Sequence, residues 1–351
     1  MITEIVLKLK KAKVTVIPSP DAEPHVTASA PIVQETVDGT FTVESDQSKT
    51  IELEVQVPAS VTSLDANLGW GPMTIQHLVT KAIDVNVGLG NLVIETSTGG
   101  FDVNVGKGNI TMKDLTGWFD LNAGMGSVNL HQIRGDADIN DGLGNIAIEE
   151  SQGTFEVSAG KGDIRCQGLN GHLEANSGMG AILVRDSKKL SLEANSGFGK
   201  IEVLGGTLLD VDCEAGIGSV TVEAALSALT VEVKNRGDIH VAIPVNQGAR
   251  VEAITDQGRI VSQMDLVEVN NPGPSRGQRL VGTVGDGATP VSLHTRRGTV
   301  TLGHFDATVD APNPTEFDDV DPRLEILTQL QEGTLTVDEA DALLTQLDNE
   351  P

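Results

Sequence analysis

The sequence predicts an all-β protein: a parallel β-solenoid with about 18 residues per coil, followed by a small C-terminal helical hairpin. Three observations support this fold class. A Gly-x-Gly motif recurs at a nearly constant spacing, apolar residues alternate with period two on both sides of each motif, and the end of the chain changes to helical spacing. A fixed repeat length is typical of solenoids, in which each coil packs on its two neighbours.

The composition fits this architecture and restricts the partners. The chain has 351 residues, a formal net charge of −26, 39 glycines and only 3% aromatic residues. Strong negative charge disfavours nucleic acids and anionic membranes, which attract basic surfaces, and it favours cationic partners. The sequence shows no signal peptide and no run of about 18 apolar residues, so we expect a cytoplasmic protein without direct membrane insertion.

Residues 1–60 are predicted to form capping strands at one end of the solenoid. Apolar residues alternate in this segment, as in Ile5, Leu7 and Leu9, and turn residues such as Asp38 and Gly39 interrupt the run. A cap is needed because an open sheet edge would pair with other chains.

Residues 61–230 are predicted to form the regular coils. Apolar residues stand three and five positions before the first glycine of each motif and four and six positions after it, so the chain forms a strand on each side and turns a corner between them. A second corner is predicted about eleven residues further on, at Gly99 and its equivalents. The crossover rule for parallel strands favours a right-handed helix. The first glycines of the motifs are Gly69, Gly88, Gly106, Gly124, Gly142, Gly160, Gly178, Gly197 and Gly216.

An acidic residue stands four positions before the first glycine in every one of these coils. Strand parity directs this acidic column outward, where like charges about 5 Å apart repel by roughly 0.8 kcal/mol in water. The column is either a solvated face that keeps the sheet soluble or a surface that binds cationic peptides. Its members are Asp65, Asp84, Asp102, Asp120, Asp138, Glu156, Glu174, Glu193 and Asp212.

The residue between the two glycines is apolar in most coils. Pointing outward, these residues would form an apolar stripe for a protein partner; pointing inward, they would fill the corner. Lys107 and Lys161, at two of these positions, keep the outward alternative open. The apolar stripe consists of Leu89, Met125, Leu143, Met179, Phe198 and Ile217.

A third column lies two positions before the first glycine. We expect its amides to hydrogen-bond from coil to coil and to satisfy the backbone of the turn. This asparagine column contains Asn67, Asn86, Asn104, Asn122, Asn140, Ser158, Asn176 and Asn195.

The sequence carries no recognisable catalytic, metal or cofactor motif. The seven histidines lack metal-ligand spacing, and the coil motif lacks the third glycine of a dinucleotide fingerprint. Cys166 and Cys213 fall on inward columns of separate coils and are expected to be buried thiols. We therefore expect a non-enzymatic protein that uses no cofactor.

Beyond the regular coils, residues 231–304 are predicted to form irregular coils that close the solenoid. Residues 305–320 are acidic and contain prolines, as a linker does.

Residues 321–351 change to a helical pattern. Asp321 and Pro322 would begin a helix that Gly333 ends, and a capping box at Thr336 would begin a second helix. The hairpin is too small to be stable alone, so we expect it to dock on a partner or to pair with a second copy. Its apolar positions are Leu324, Leu327, Leu330, Leu343, Leu344 and Leu347.

Three segments carry a resemblance to a known family: VQVPASVTSLDANLGWGPMTI, the repeated G-x-G-x-[IV]-x-[IV] coils, and RLVGTVGDGATPVSLHTRRGTVTL. Together they make the chain similar to the bacterial putative-adhesin β-strand-repeat proteins. The terminal RLEILTQLQEGTLTVDEADALLTQL resembles the SHOCT-like helical module of YvlB- and LiaX-type proteins, where that module is N-terminal. The resemblance implies a role in cell-envelope stress response, sensing or scaffolding, and no catalytic residue.

These observations favour a non-catalytic scaffold or binding protein whose partner is a protein or a cationic peptide, with the hairpin for oligomerisation or docking. Two alternatives remain open: a self-assembling polymer of the bactofilin type and a surface adhesin. An enzyme acting on polysaccharide is less favoured, because only Trp70 and Trp118 could serve as sugar platforms.

Overall fold

The computed structural model describes residues 1–270 and 277–306, and within them the predicted all-β parallel solenoid is confirmed. These residues form 25 strands and no helix, and residues 1–306 make up one compact unit. The predicted hairpin at 321–351 lies outside the described residues. The last strand continues to Phe305, where the sequence predicted the linker to begin.

At the N-terminal end the first strand does not form the edge. β1 pairs in parallel with β4 and β5 on one side and with β6 and β7 on the other. The short strands β3 and β2 then pair antiparallel with β4 and β5 and cover the end of the stack. These strands are β1 (Glu4–Pro18), β2 (His25–Ala28), β3 (Val33–Val37), β4 (Thr40–Ser45), β5 (Ile51–Val57), β6 (Ser63–Trp70) and β7 (Met73–Gln76).

In the middle of the solenoid all strand pairs are parallel. Each coil pairs with the next at an offset of 18 or 19 residues, as in Phe101 with Phe119. The strands are β8 (Val79–Leu89), β9 (Leu92–Glu95), β10 (Thr98–Lys107), β11 (Ile110–Met125), β12 (Val128–Leu143), β13 (Ile146–Glu149), β14 (Gln152–Lys161), β15 (Ile164–Gln167), β16 (Asn170–Met179), β17 (Ile182–Arg185), β18 (Lys188–Phe198), β19 (Ile201–Ile217), β20 (Val220–Arg236) and β21 (Ile239–Pro244).

The C-terminal end mirrors this arrangement. β25 pairs in parallel with β20 and β21 on one side and with β22 on the other. β24 then pairs antiparallel with both β22 and β23. These strands are β22 (Ala249–Ser262), β23 (Val267–Asn270), β24 (Gln278–Val284) and β25 (Thr289–Phe305).

The core is a set of apolar columns that run through the stack. The predicted inward positions are buried, as Ile83, Val85, Leu92 and Ile94 show in one coil. Where two phenylalanines meet in one column, Phe101 and Phe119, their rings stack with centroids 5.0 Å apart. No coil could bury these side chains alone, so the stability of the solenoid comes from the contact between coils.

The Gly-x-Gly corner is required by the close approach of successive coils. A Cβ atom added to Gly88 would lie 2.5 Å from the carbonyl oxygen of Gly69, and one added to Gly90 would lie 1.9 Å from the carbonyl oxygen of Gly71. The same contact recurs through the stack, so the motif marks the line along which backbones touch.

The coil has a further corner that the sequence did not reveal. Eight residues after the first glycine the backbone adopts positive φ, with values of 48° at Thr96 and 56° at Asp114 and Gln132. Other coils place a glycine there, as at Gly168. Residues of several types adopt this left-handed conformation in spite of the backbone strain. Glycine therefore does not recur at this position, and the sequence does not mark the corner.

Candidate functional site

The acidic column forms an unbroken ladder on the outer face. Its nine members pair in strict register from coil to coil, and each is partly or fully exposed. With a rung spacing of about 4.8 Å, the ladder is roughly 38 Å long. Repeat and strand parity alone predicted this face.

Two members of the column, Asp84 and Asp212, have a raised pKa. Partial burial raises the pKa of Asp84, and the neighbouring carboxylates of Asp102 and Asp65 raise it further. Partial burial also raises the pKa of Asp212, next to Glu193. An added cation would relieve this repulsion, since each such pair disfavours the charged form.

The asparagine column does not form the predicted ladder. Its amides donate mainly to the carboxylate two residues earlier in the same coil, as Asn86 Nδ2 does to Asp84 Oδ1 at 2.9 Å. Asn195 Nδ2, which also reaches Asn176 Oδ1 at 3.1 Å, makes an amide contact between coils. The physical reason is parity: both columns project from the same face of one strand, so the acid is the nearest acceptor.

The coil-to-coil hydrogen bonds of the corner come from a different column, three residues after the first glycine. Asn91 Oδ1 accepts from the backbone N–H of Asn109, whose own Oδ1 accepts from the N–H of Ser127. Asn145 and Asp163 continue the pattern. These side chains are structural, because they link the backbone of one coil to the next at the corner.

A shallow groove of about 920 Å³ runs beside the asparagine column across the N-terminal coils. It is lined by the asparagine column, by the first glycines and by the residues between them, such as Val87 and Val105. We call this feature the glycine groove; it extends from Lys8 to Gly160. The groove and the acidic column follow the same axis, so an elongated ligand could contact both.

The apolar stripe points outward, and the inward alternative is wrong. Its six side chains are between 43% and 57% exposed, because the chain turns at the motif and the two glycines provide no shielding side chain. Trp70 continues the line and carries Lys11 Nζ 3.9 Å above its ring centroid. We call the full line of outward corner residues the corner ridge: Lys11, Trp70, Leu89, Lys107, Met125, Leu143, Lys161, Met179, Phe198, Ile217 and Arg236.

Sequence reasoning missed Asp141, a carboxylate in an inward column between Ala123 and Ala159. It is only 3% exposed, and neither oxygen accepts a hydrogen bond of normal geometry. Desolvation raises its pKa to about 6, although the backbone N–H of Leu143 offsets part of this effect. The available signal was that Asp141 is the one charged residue in a column of apolar residues and serines over the regular coils.

The described residues include two cysteines. Cys166 and Cys213 are buried, and burial raises the pKa of the Cys166 thiol to about 12. In residues 1–270 and 277–306 no group of three or more His, Cys, Asp or Glu side chains is placed to hold a metal. None of these residues belongs to a helix that could cross a membrane.

Two solved structures resemble the chain at 10% sequence identity. A putative cell adhesion protein from Clostridium sporogenes aligns over 87% of this chain and 93% of its own, with a TM-score of 0.15. A putative adhesin from Bacteroides fragilis aligns over 87% and 92%, with a TM-score of 0.25. No curated protein matches the chain.

The sequence also matches a family model described as Toastrack DUF4097, over residues 2–199. The match includes the N-terminal strands and the coils that carry the glycine groove and most of the acidic column, and it covers more than half of the chain. The protein belongs to the Toastrack DUF4097 family.

Proposed function

We propose that this protein is a non-catalytic binding scaffold whose acidic column holds an elongated cationic partner. The observation that carries the proposal is the unbroken ladder of nine carboxylates in register, beside a groove with the same direction. A rigid β-solenoid fixes this spacing, so the partner meets a preformed surface.

Charge supports a cationic ligand. Asn86 and its equivalents donate to the carboxylates, which leaves part of each carboxylate available as an acceptor. The Asp84 and Asp212 carboxylates ionise less readily than usual because of partial burial and their neighbours, and a bound ammonium or guanidinium group would reverse that effect. Arginine and lysine side chains are long enough to follow a ladder with rungs about 4.8 Å apart.

An oligolysine peptide of about ten residues is a suitable probe, since its extended length of roughly 33 Å is close to that of the ladder. The variant with Asp84, Asp102, Asp120 and Asp138 all changed to Asn should lose most of this binding, measured by fluorescence anisotropy. Binding to the unmodified protein should weaken steeply as salt is added.

The matched control removes the same number of charges from exposed positions outside the ladder: Asp21→Asn, Glu23→Gln, Glu35→Gln and Asp46→Asn. This variant should bind almost as well as the unmodified protein. Equal losses in the two variants would mean that net charge alone attracts the peptide, and the proposed site would be abandoned.

The family resemblance suggests a cellular setting, the response to cell-envelope stress. Cationic membrane-active peptides have the chemistry that the acidic column would recognise, so they belong in the same binding assay. The predicted hairpin at 321–351 is part of the proposal as a docking or oligomerisation element. A pull-down with and without these residues tests that role.

A self-assembling polymer is a weaker alternative. Antiparallel strands cover both ends of the described stack: β2 and β3 at one end, β23 and β24 at the other. Such strands interrupt the parallel pairing that end-to-end stacking would need. Filaments in electron micrographs of the purified protein would favour the polymer over the scaffold.

A further inference from the structure

The corner ridge has a chemistry of its own, different from that of the rest of the surface. Between Trp70 and Ile217 the ridge contains six aliphatic or aromatic side chains besides Trp70, and its charged members are all basic. Its cations are Lys11, Lys107, Lys161 and Arg236. A chain with a net charge of −26 therefore carries one edge that is apolar and positive.

The ridge is also separated from the acidic column. The residues directly before and after each ridge position are glycines from Trp70 to Ile217. The acidic column stands five residues before the ridge residue of the same coil, about 16 Å along the strand, which exceeds the Debye length of about 8 Å at physiological salt. Four carboxylates lie within three residues of a ridge position. Those of Asp163 and Glu214 are paired with Arg165 and Lys234, that of Asp238 accepts from the backbone N–H of Thr299, and that of Asp141 is buried.

Shape narrows the choice of partner. A corner of a closed coil is convex, and the glycines on both sides make each ridge side chain protrude. With about 4.8 Å per rung, the eleven rungs give a straight edge of roughly 48 Å. A convex apolar edge cannot enclose a small molecule, and two such edges make little contact with each other. A deformable surface that accepts apolar side chains and attracts cations fits best.

We propose that the corner ridge rests on a lipid bilayer that contains anionic lipids, with its apolar side chains in the interfacial layer and its lysines and arginine at the phosphates. Interfacial binding combines buried apolar area with attraction to anionic headgroups, and it needs no membrane-spanning segment. Trp70 and Phe198 are of the type that favours the membrane–water interface. This contact is independent of the acidic column and leaves that face in solution.

The test is co-sedimentation of the full-length protein with vesicles. The protein should pellet with vesicles of phosphatidylcholine and phosphatidylglycerol and pellet less with phosphatidylcholine alone. The double variant Leu143→Asp/Phe198→Asp should lower the partition coefficient at least tenfold, because two charges would enter the interface. Changing Lys107 and Lys161 to Gln should weaken binding about fivefold for each lysine.

The matched control places the same two charges on exposed apolar residues away from the ridge, as Val79→Asp/Leu209→Asp. It should pellet like the unmodified protein, and circular dichroism checks that all variants keep the strand signal. In a Trp118→Phe background, Trp70 is the sole tryptophan, and its emission should shift to the blue only with anionic vesicles.

Three results would overturn the proposal. The first is no binding to either vesicle, and the second is an equal loss in the control variant. The third is a concentration-dependent dimer in analytical ultracentrifugation that Leu143→Asp/Phe198→Asp abolishes, because the ridge would then be covered by a second copy of the chain.

Discussion

Replacing the buried carboxylate of Asp141 by a serine should stabilise the protein at neutral pH. In the same inward column Ser177 donates to the carbonyl oxygen of Gly162 at 3.3 Å, and Ser196 donates to that of Gly180 at 3.2 Å. By repeat position, Asp141 faces Gly126, and an ionised carboxylate has no proton to donate. Asp141→Ser would install the donor that the corner accepts elsewhere.

The magnitude follows from linkage. The pKa of Asp141 is raised from 3.8 to about 6, so ionisation destabilises the folded state. This penalty is absent below pH 3.8, grows as the pH rises to about 6 and is constant above that value. Roughly two pKa units correspond to about 3 kcal/mol. Losing part of a buried side chain costs about 1 kcal/mol, which leaves a net gain of about 2 kcal/mol.

Thermal unfolding followed by circular dichroism measures this gain. At pH 7.5 the Tm of Asp141→Ser should exceed that of the unmodified protein by about 4 °C. At pH 5.0 the ionisation penalty falls to about half, so the difference should shrink. The reverse substitution, Ser177→Asp, should lower Tm, and by more at pH 7.5 than at pH 5.0. A Tm gain that is the same at both pH values, or an unchanged Tm for Ser177→Asp, would refute the reasoning.

Two further substitutions test the corners. Gly90→Ala should destabilise the folded protein by about 3 kcal/mol or more, because the added Cβ would lie 1.9 Å from the carbonyl oxygen of Gly71. Gly303→Ala is its control and should leave Tm almost unchanged, because the nearest atom to its added Cβ is 3.6 Å away. Thr96→Asn should stabilise by about 0.5–1 kcal/mol, since a β-branched residue at φ 48° is strained and asparagine tolerates that region. Thr98→Asn, in an extended strand, is its control and should bring no gain; urea titration distinguishes these outcomes.

The regular coils were predictable because two signals agree in every repeat. A constant spacing of 18 or 19 residues aligns the columns, and period-two alternation says which columns face inward, as for Ile83 and Asp84. The acidic column follows from the same logic. Its ladder can be predicted from the sequence, because parity and repeat together fix both the neighbour and the direction of a side chain.

The corners were less predictable, since alternation stops there. The outward direction of Leu89 cannot be read from parity across two glycines. The direction of this side chain is indicated by the residue types at the equivalent position of the other coils. A position that is occupied by leucine in one coil and by lysine in the next, as at Leu89 and Lys107, faces solvent. The sequence pattern also does not predict that β1 and β25 each lie one strand inside the end of the stack. This position depends on pairing between segments that are distant in the sequence.

The acidic column could stabilise the solenoid or bind a ligand, and the Asp84→Asn variant distinguishes these two roles. Each neighbour about 4.8 Å away repels Asp84 by roughly 0.9 kcal/mol in water, and salt screening lowers the sum for two neighbours to about 1 kcal/mol. The introduced amide would keep an oxygen that accepts from Asn86, so the substitution should raise stability by about 1 kcal/mol at physiological salt, and by more at low salt. Urea titrations at two salt concentrations measure the free energy of unfolding of this variant. Fluorescence anisotropy measures its affinity for oligolysine. A variant that is more stable and binds less would show that the carboxylate is retained at the expense of the fold; a variant that is less stable at low salt would show that the ladder supports the solenoid itself.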